Sequence, residues 1–235
     1  MASISCRPVR PFHKADYNQL TDMKHILLFS LLLTLGVTAA AQNPFACTTQ
    51  GAKLRYMNVD GEGHEVSVSE MEVTQVEASG DSLCMTQVTT MYMNGKRFMK
   101  PIETKAVIRD GDVMMDMSGS MTATVEGSAY SLPKRLAVGL ELPVGESETK
   151  VGSMEVKQNT TFHKVVAREE VEVPAGTFDC YVVERQFTAE VMGMTTKGAT
   201  KTWYARGIGT VKSENYYENG SMQSGAVLIE LNLPE

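Results

Sequence analysis

Beyond residue 42 the chain alternates between short turn signals and segments rich in Val, Thr, Met and Tyr. Asp60-Gly61, Ser79-Gly80-Asp81, Asn94-Gly95, Asp110-Gly111 and Asn219-Gly220 punctuate it. Asn94-Gly95 is the sharpest hairpin signal, because a type I′ turn needs positive φ at both central residues and this pair tolerates it best. Period-two alternation marks the strands between the turns. Phe98, Ile102, Ala106 and Ile108 are apolar at even positions, whereas Glu103, Lys105 and Arg109 are odd. Tyr181, Val183, Phe187, Ala189 and Val191 share one face, and Val227, Ile229, Leu231 and Leu233 another. Between Val66/Val68 and Met71/Val73 the apolar phase slips, which predicts a bulge near Ser69-Glu70. No later segment carries a helical apolar stripe of ten residues, and the stretch 118–150 is the least strand-like. About eleven strands, many of them long and joined in sequence order, predict an all-β domain. Its architecture is a strongly curved antiparallel sheet, either a half-barrel or a closed up-and-down barrel.

The first 41 residues do not fit this pattern. Ile26 to Ala41 is apolar, follows Lys24-His25 and ends in Ala39-Ala40-Ala41-Gln42, which reads as an export signal cut after Ala41. The expected organisation is an upstream extension at 1–22, a signal peptide at 23–41 starting at Met23, and a single β-domain at 42–235. The chain carries a net charge of −6. Residues 1–41 hold four basic groups (Arg7, Arg10, Lys14, Lys24) against Asp16 and Asp22, so the mature charge falls to −8. Such a chain with scattered lysines is a poor partner for nucleic acid. No apolar run after Ala41 approaches the ~18 residues of a membrane-spanning helix. The expected location is the periplasm or the exterior. Cys47, Cys84 and Cys180 survive cleavage, and an oxidising compartment favours a disulfide. The odd count leaves two arrangements open: one bridge plus one thiol, or three thiols packed as small hydrophobes. If a bridge forms, Cys180 pairs best with Cys47, which lies on a tail before the first strand, whereas Cys84 is held mid-strand. Lipid attachment at Cys47 is disfavoured, because Pro44-Phe45-Ala46 is a poor lipobox and the better cut precedes Gln42.

Two stretches carry a family resemblance: Val171-Glu172-Val173-Pro174-Ala175-Gly176-Thr177-Phe178-Asp179-Cys180-Tyr181 and Lys201-Thr202-Trp203-Tyr204-Ala205-Arg206-Gly207-Ile208-Gly209-Thr210-Val211-Lys212. With Gly51-Ala52-Lys53-Leu54-Arg55-Tyr56, they resemble a family of exported β-proteins common in Bacteroidetes. That family pairs a V-P-A-G-T-F-x-C turn with W-Y-A-x-G-[IV]-G-x-V-K and has no assigned activity. The resemblance implies a long curved sheet like that of the half-barrel lipoprotein carriers of the bacterial envelope. Many relatives carry a cysteine in the strand matching 105–109, and this chain does not. The motif residues also have plain structural readings. Pro174 presets a turn corner and Gly176 supplies positive φ ahead of Phe178. Trp203 and Tyr204 point to opposite faces of one strand. Gly207 and Gly209 make a sharp turn, and no helix follows them to make a phosphate site.

Catalytic and metal chemistry find little to use. His64 and His163 are the only histidines after Ala41, neither has a metal-ligand neighbour at the needed spacing, and both read as solvated surface residues. No nucleophile motif occurs in context, so neither an enzyme, a metal nor a cofactor is expected. Methionine is the oddity: of 16, all but Met1 and Met23 lie after Ala41. Met91/Met93, Met115/Met117 and Met192/Met194 are i, i+2 pairs that share a face if they lie on strands. They are core filler, or they line a groove for variable apolar ligands. A third reading, Cu(I) held by Met114, Met115, Met117 and Met121, lacks a nearby His or Cys. The preferred function is a non-enzymatic envelope protein binding an apolar ligand or lipid on the concave face of the sheet. The alternative is a structural or interaction protein with no small-molecule ligand.

Overall fold

The computed structural model describes residues 43–116, 123–127, 130–151, 154–191 and 193–234, so the expected upstream extension and signal peptide lie outside the described residues. Among these there is no helix, and none therefore is long and apolar enough to cross a membrane. Fourteen strands follow in order: β1 (Lys53–Asp60), β2 (Glu65–Ser79), β3 (Ser82–Met93), β4 (Lys96–Arg97), β5 (Ile102–Arg109), β6 (Asp112–Asp116) and β7 (Ala123–Gly127). Then come β8 (Tyr130–Leu132), β9 (Gly145–Val151), β10 (Met154–Val173), β11 (Gly176–Val191), β12 (Met194–Ala205), β13 (Gly209–Tyr217) and β14 (Met222–Asn232). All join one antiparallel sheet in the order β7-β9-β10-β11-β12-β13-β14-β1-β2-β3-β5-β6-β8, with β4 beside β3.

The turn chemistry explains the meander. Asn94 and Gly95 have φ of 50° and 72°, and Asp110 and Gly111 repeat that arrangement at 51° and 87°, so both hairpins close through left-handed pairs. Two meanders, one from each half of the chain, are sewn together where β14 pairs with β1, from Lys53↔Asn232 to Asp60↔Ser224.

A sheet with no covering layer can bury a face only by curling over it. By register and alternation, Leu54, Val73, Met85, Ile108, Val113, Val165, Val183, Val211 and Leu228 lie on the same face of nine of the ten successive strands from β10 to β6, and all are buried. That face is the inside of the curl. Chain length makes the same point: edge strands β7 and β8 are joined through Gly127 and Tyr130, so these Cα atoms lie within ~11 Å of each other. No ladder joins β7 to β8, so the sheet is an open, curled one rather than a closed barrel.

Two segments seal the lower part. The strap 133–144 runs from the β8 edge across to β10. The Lys134 amide donates to Asp112 Oδ1 at 2.7 Å, Leu136 and Leu142 are buried, and Gly139 N and Leu142 N donate to the carbonyls of Val165 and His163 at 2.8 and 2.9 Å. The N-terminal segment closes the end where β1 begins. Phe45 is 3% exposed and meets Tyr181 edge-on at 5.7 Å, while Gly207 N donates to Pro44 O at 2.7 Å.

The stretch 118–150 holds the longest described connection, 133–144, beside the short strands β7 and β8 and most of β9. Several sequence expectations are corrected. β2 runs in regular register past Ser69-Glu70, and its irregularities fall instead opposite Asn58/Val59 and between Val73 and Gln75. In β14 a register shift opposite Arg55/Tyr56 reverses the phase, so Val227 and Leu231 lie on opposite faces and Leu228 becomes the fully buried residue. Cys47 and Cys180 are both buried free thiols, so the bridge between them is not formed. The reason is facial. Cys180 shares the outer face with Val182 and Trp203, whereas Cys47 belongs to the segment whose Phe45 packs on the opposite-facing Tyr181.

Candidate ligand-binding cup

The inner face changes character along its length. In the lower rows Leu54, Val165, Val183, Val211 and Leu228 are closed off from solvent. One row higher, the register brings His163, Arg185, Thr200, Asn215 and Ser224 side by side across β10, β11, β12, β13 and β14. The row of Val165 and Val183 continues through Thr202, Ser213, Ala226, Asn58 and Ser67 across β12, β13, β14, β1 and β2. Except for His163, Ser67 and the two valines, these side chains keep partial contact with solvent although they face inward. The result is a cup with an apolar, filled floor and a wall of hydroxyl and amide groups.

Hydrogen bonds order the wall. Thr200 Oγ1 donates to Asn215 Oδ1 at 3.1 Å, and Asn215 Nδ2 donates to Ser224 Oγ at 3.1 Å. Asn58 Nδ2 donates to Ser67 Oγ at 3.0 Å and reaches Ser69 Oγ at 3.4 Å. These chains cross-link neighbouring strands, so the donors and acceptors stand at fixed positions.

Two ionisable nitrogen bases, His163 and Arg185, belong to the row. His163 is 7% exposed, against the expectation of a surface residue, and its Nδ1 lies 2.9 Å from the Pro143 carbonyl of the strap. Burial first, and the charge of Arg185 in addition, push its pKa below the ordinary histidine value, while the Pro143 carbonyl opposes the shift. Arg185 lies on β11 between Val183 and Phe187, with its guanidinium over the Phe187 ring at 5.4 Å. Among the described residues it makes no hydrogen bond or ion pair. Glu184, Glu190, Glu214 and Glu230 alternate to the outer face, while Asp179 and its partner Glu170 share the Arg185 face only at the lower end of β11, where Arg168 holds Asp179 at 2.9 Å. The nearest carboxylate along the polar row is Asp60, four strands and ~19 Å away at the usual strand spacing, where it pairs with His64.

The predicted methionines are only partly brought together. Met91 and Met93 lie on the inner face of β3 toward its upper end, with Met93 45% exposed, and Met194 stands 67% exposed at the rim of β12. Met115 pairs with Ala106 and Tyr130 in the ladders, but its side chain, with Met117, Met121 and Met192, lies outside the described residues. The family-motif residues sit at the lower end and are structural. Gly176, Gly207 and Gly209 have φ of 136°, 72° and 94°, and an added Cβ at Gly176 would touch the Phe178 ring at 3.8 Å. Tyr204 faces inward. Trp203 faces outward, donates to Glu169 Oε1 at 2.6 Å and carries Lys212 Nζ 4.7 Å from its ring. Cys180 offers no reactive thiolate, since burial pushes its pKa up to about 11. An outer furrow of about 450 Å3 runs past Gln186, Lys197, Lys201 and Tyr216, but its cations are engaged, Lys197 by Glu218 at 2.9 Å and Lys201 by the Tyr216 ring.

Arg185 and its polar row escaped the sequence reading. A signal existed: Arg185 is the single polar member of the run Tyr181, Val183, Phe187, Ala189, Val191. The hydroxyls and amides carried none, because register across four strands, not spacing along one, assembles them.

No curated protein matches the chain. Two solved structures resemble it: a candidate lipoprotein of Parabacteroides distasonis ATCC 8503, at 19% identity and TM-score 0.71, and a candidate exported protein with a YmcC-like fold from Bacteroides fragilis NCTC 9343, at 18% and 0.68. Each alignment covers 81% of this chain and 99% of the other, and at these identities the likeness is one of fold. A family model described as DUF3108-like matches residues 49–228, and the protein belongs to that family.

Proposed function

We propose that this is an exported cell-envelope protein that holds an apolar or amphipathic ligand, a lipid in the first instance, in the cup of its curled sheet, and that it performs no chemistry on it. The observation that carries this is the gradient of solvent contact along one face. The lower inner rows are filled by their own side chains, whereas the upper rows of the same face remain reachable. A sheet serving only as a scaffold gains nothing from leaving inward-facing groups uncovered, while ligand sites are concave, largely pre-formed and furnished with a few fixed polar groups.

The signal-like segment ending at Ala41 supports export, and the two structural neighbours, described as a lipoprotein and an exported protein, agree with it. Cleavage after Ala41 retains Phe45, which packs against Tyr181 and under Arg206; lipid attachment at Cys47 would remove it. A soluble exported form is therefore favoured over an anchored one.

Native mass spectrometry of the protein purified from its host tests the reading. The expected spectrum contains a co-purified small molecule, released when the protein unfolds. A spectrum of bare protein, together with no binding of added lipid, would leave the structural or interaction role in its place.

A further inference from the structure

Resting on the proposed ligand cup, we propose that Arg185 is its specificity-determining residue: the ligand carries an anionic oxygen group, a carboxylate or phosphate, that docks between the Arg185 guanidinium and the Thr200–Asn215 pair. Three observations converge. Arg185 faces inward from the centre of an apolar run, yet keeps partial solvent contact and has no hydrogen bond or ion pair among the described residues. In a chain with more acidic than basic groups, Glu184, Glu190, Glu214 and Glu230 of β11, β13 and β14 alternate away from it, and Asp179, six residues down the same face of β11, is taken up by Arg168. A cation placed inside the curl without a counter-charge is a site that an anion completes. Finally, the adjoining hydroxyl and amide groups are held by the Thr200–Asn215–Ser224 chain, so they stand ready beside the charge.

The surroundings give the ligand a direction. Below the row, the buried Val165, Val183 and Val211 close the floor. Above it, Phe187 lies over Gly198, where an added Cβ would stand 3.0 Å from the ring, and the wall continues to Met194 at the rim. An acyl chain attached to the anion therefore lies against Phe187 and points to the mouth. Guanidinium is suited to this task because its planar fork matches carboxylate and phosphate oxygens two at a time.

The test is calorimetric titration of the delipidated exported protein with oleate, with neutral 1-oleoylglycerol and with inorganic phosphate. The variants are Arg185→Gln, Arg185→Lys and the outer-face control Lys201→Gln, each checked for the wild-type unfolding midpoint. Arg185→Gln is expected to weaken oleate by about 10- to 100-fold, the loss of a charge-assisted contact. Arg185→Lys should recover part of it, Lys201→Gln should match wild type, and 1-oleoylglycerol should bind all four forms alike. Oleate binding unchanged in Arg185→Gln, or an equal loss for both amphiphiles, would overturn the assignment of Arg185 while leaving the cup a ligand site. Phosphate bound through Arg185 with neither amphiphile taken up would keep the anion site and overturn its lipid source. No binding by any probe would overturn both this inference and the proposed function.

Discussion

Replacing Phe45 with alanine removes the side chain that fastens the N-terminal segment to the sheet. Phe45 is 3% exposed, meets Tyr181 edge-on at 5.7 Å and lies under the Arg206 guanidinium at 4.5 Å. A buried phenylalanine removes ~150–250 Å2 from water. At ~25 cal/mol per Å2 that is ~4–6 kcal/mol, an upper bound because the unfolded chain is itself partly collapsed. The edge-on pair adds ~0.5–1.5 kcal/mol. Truncations of this kind in well-packed cores cost ~3–5 kcal/mol, and Phe45→Ala is expected in that range. The protein has a single tryptophan, Trp203, whose fluorescence reports urea unfolding. With a urea m-value of ~2 kcal/mol/M, the midpoint should fall by ~1.5–2.5 M. Phe45→Leu keeps apolar volume and should lose less than half as much. A double-mutant cycle with Tyr181→Leu should return ~0.5–1.5 kcal/mol of coupling. A loss below ~1 kcal/mol for Phe45→Ala would refute the reasoning, since surface positions give changes of that size. It would also remove the argument that the mature protein begins upstream of Phe45.

His163 makes stability depend on pH. Burial and Arg185 hold its folded pKa below the unfolded value, so the neutral form favours folding. The contribution is fully present above the unfolded value near ~6.5 and is lost as pH falls from there through the folded pKa. His163→Gln should flatten the decline in urea midpoint below about pH 6.5, and a parallel decline in both proteins would count against it. At Gly61 an added Cβ would clash with the Met222 carbonyl oxygen, so Gly61→Ala should cost ~1–3 kcal/mol by displacing the β1–β2 turn from β14. Gly63→Ala meets nothing within 4 Å but sits at φ 86°, so it should cost less, by thermal unfolding of both variants. Cys47 and Cys180, buried on different faces, should resist iodoacetamide in the folded protein and react on unfolding, as read by peptide mapping. Recovery of a Cys47–Cys180 disulfide peptide from the native protein would contradict the facial argument.

What the sequence determined by itself is the local part of this structure. Asn94-Gly95 and Asp110-Gly111 fold into left-handed pairs whatever surrounds them, because few residues tolerate positive φ. The alternation in 181–191 places Tyr181, Val183 and Phe187 on one face for the same covalent reason that side chains alternate along any strand. An all-β curved sheet followed from these signals. Tertiary structure decided what depends on comparing strands. The phase of β14 turns on a bulge opposite Arg55/Tyr56, which alternation within 227–233 cannot reveal. His163 is read as a surface residue from its neighbours in sequence and is buried because the strap 139–143 comes back to pair with β10. The cup is the clearest case. Arg185, Thr200, Asn215 and Ser224 are 39 positions apart end to end, and only the register of four successive strands makes them one row. Register is set by the sum of many weak pairings and turn lengths, so a site written across strands leaves almost no mark along any one of them.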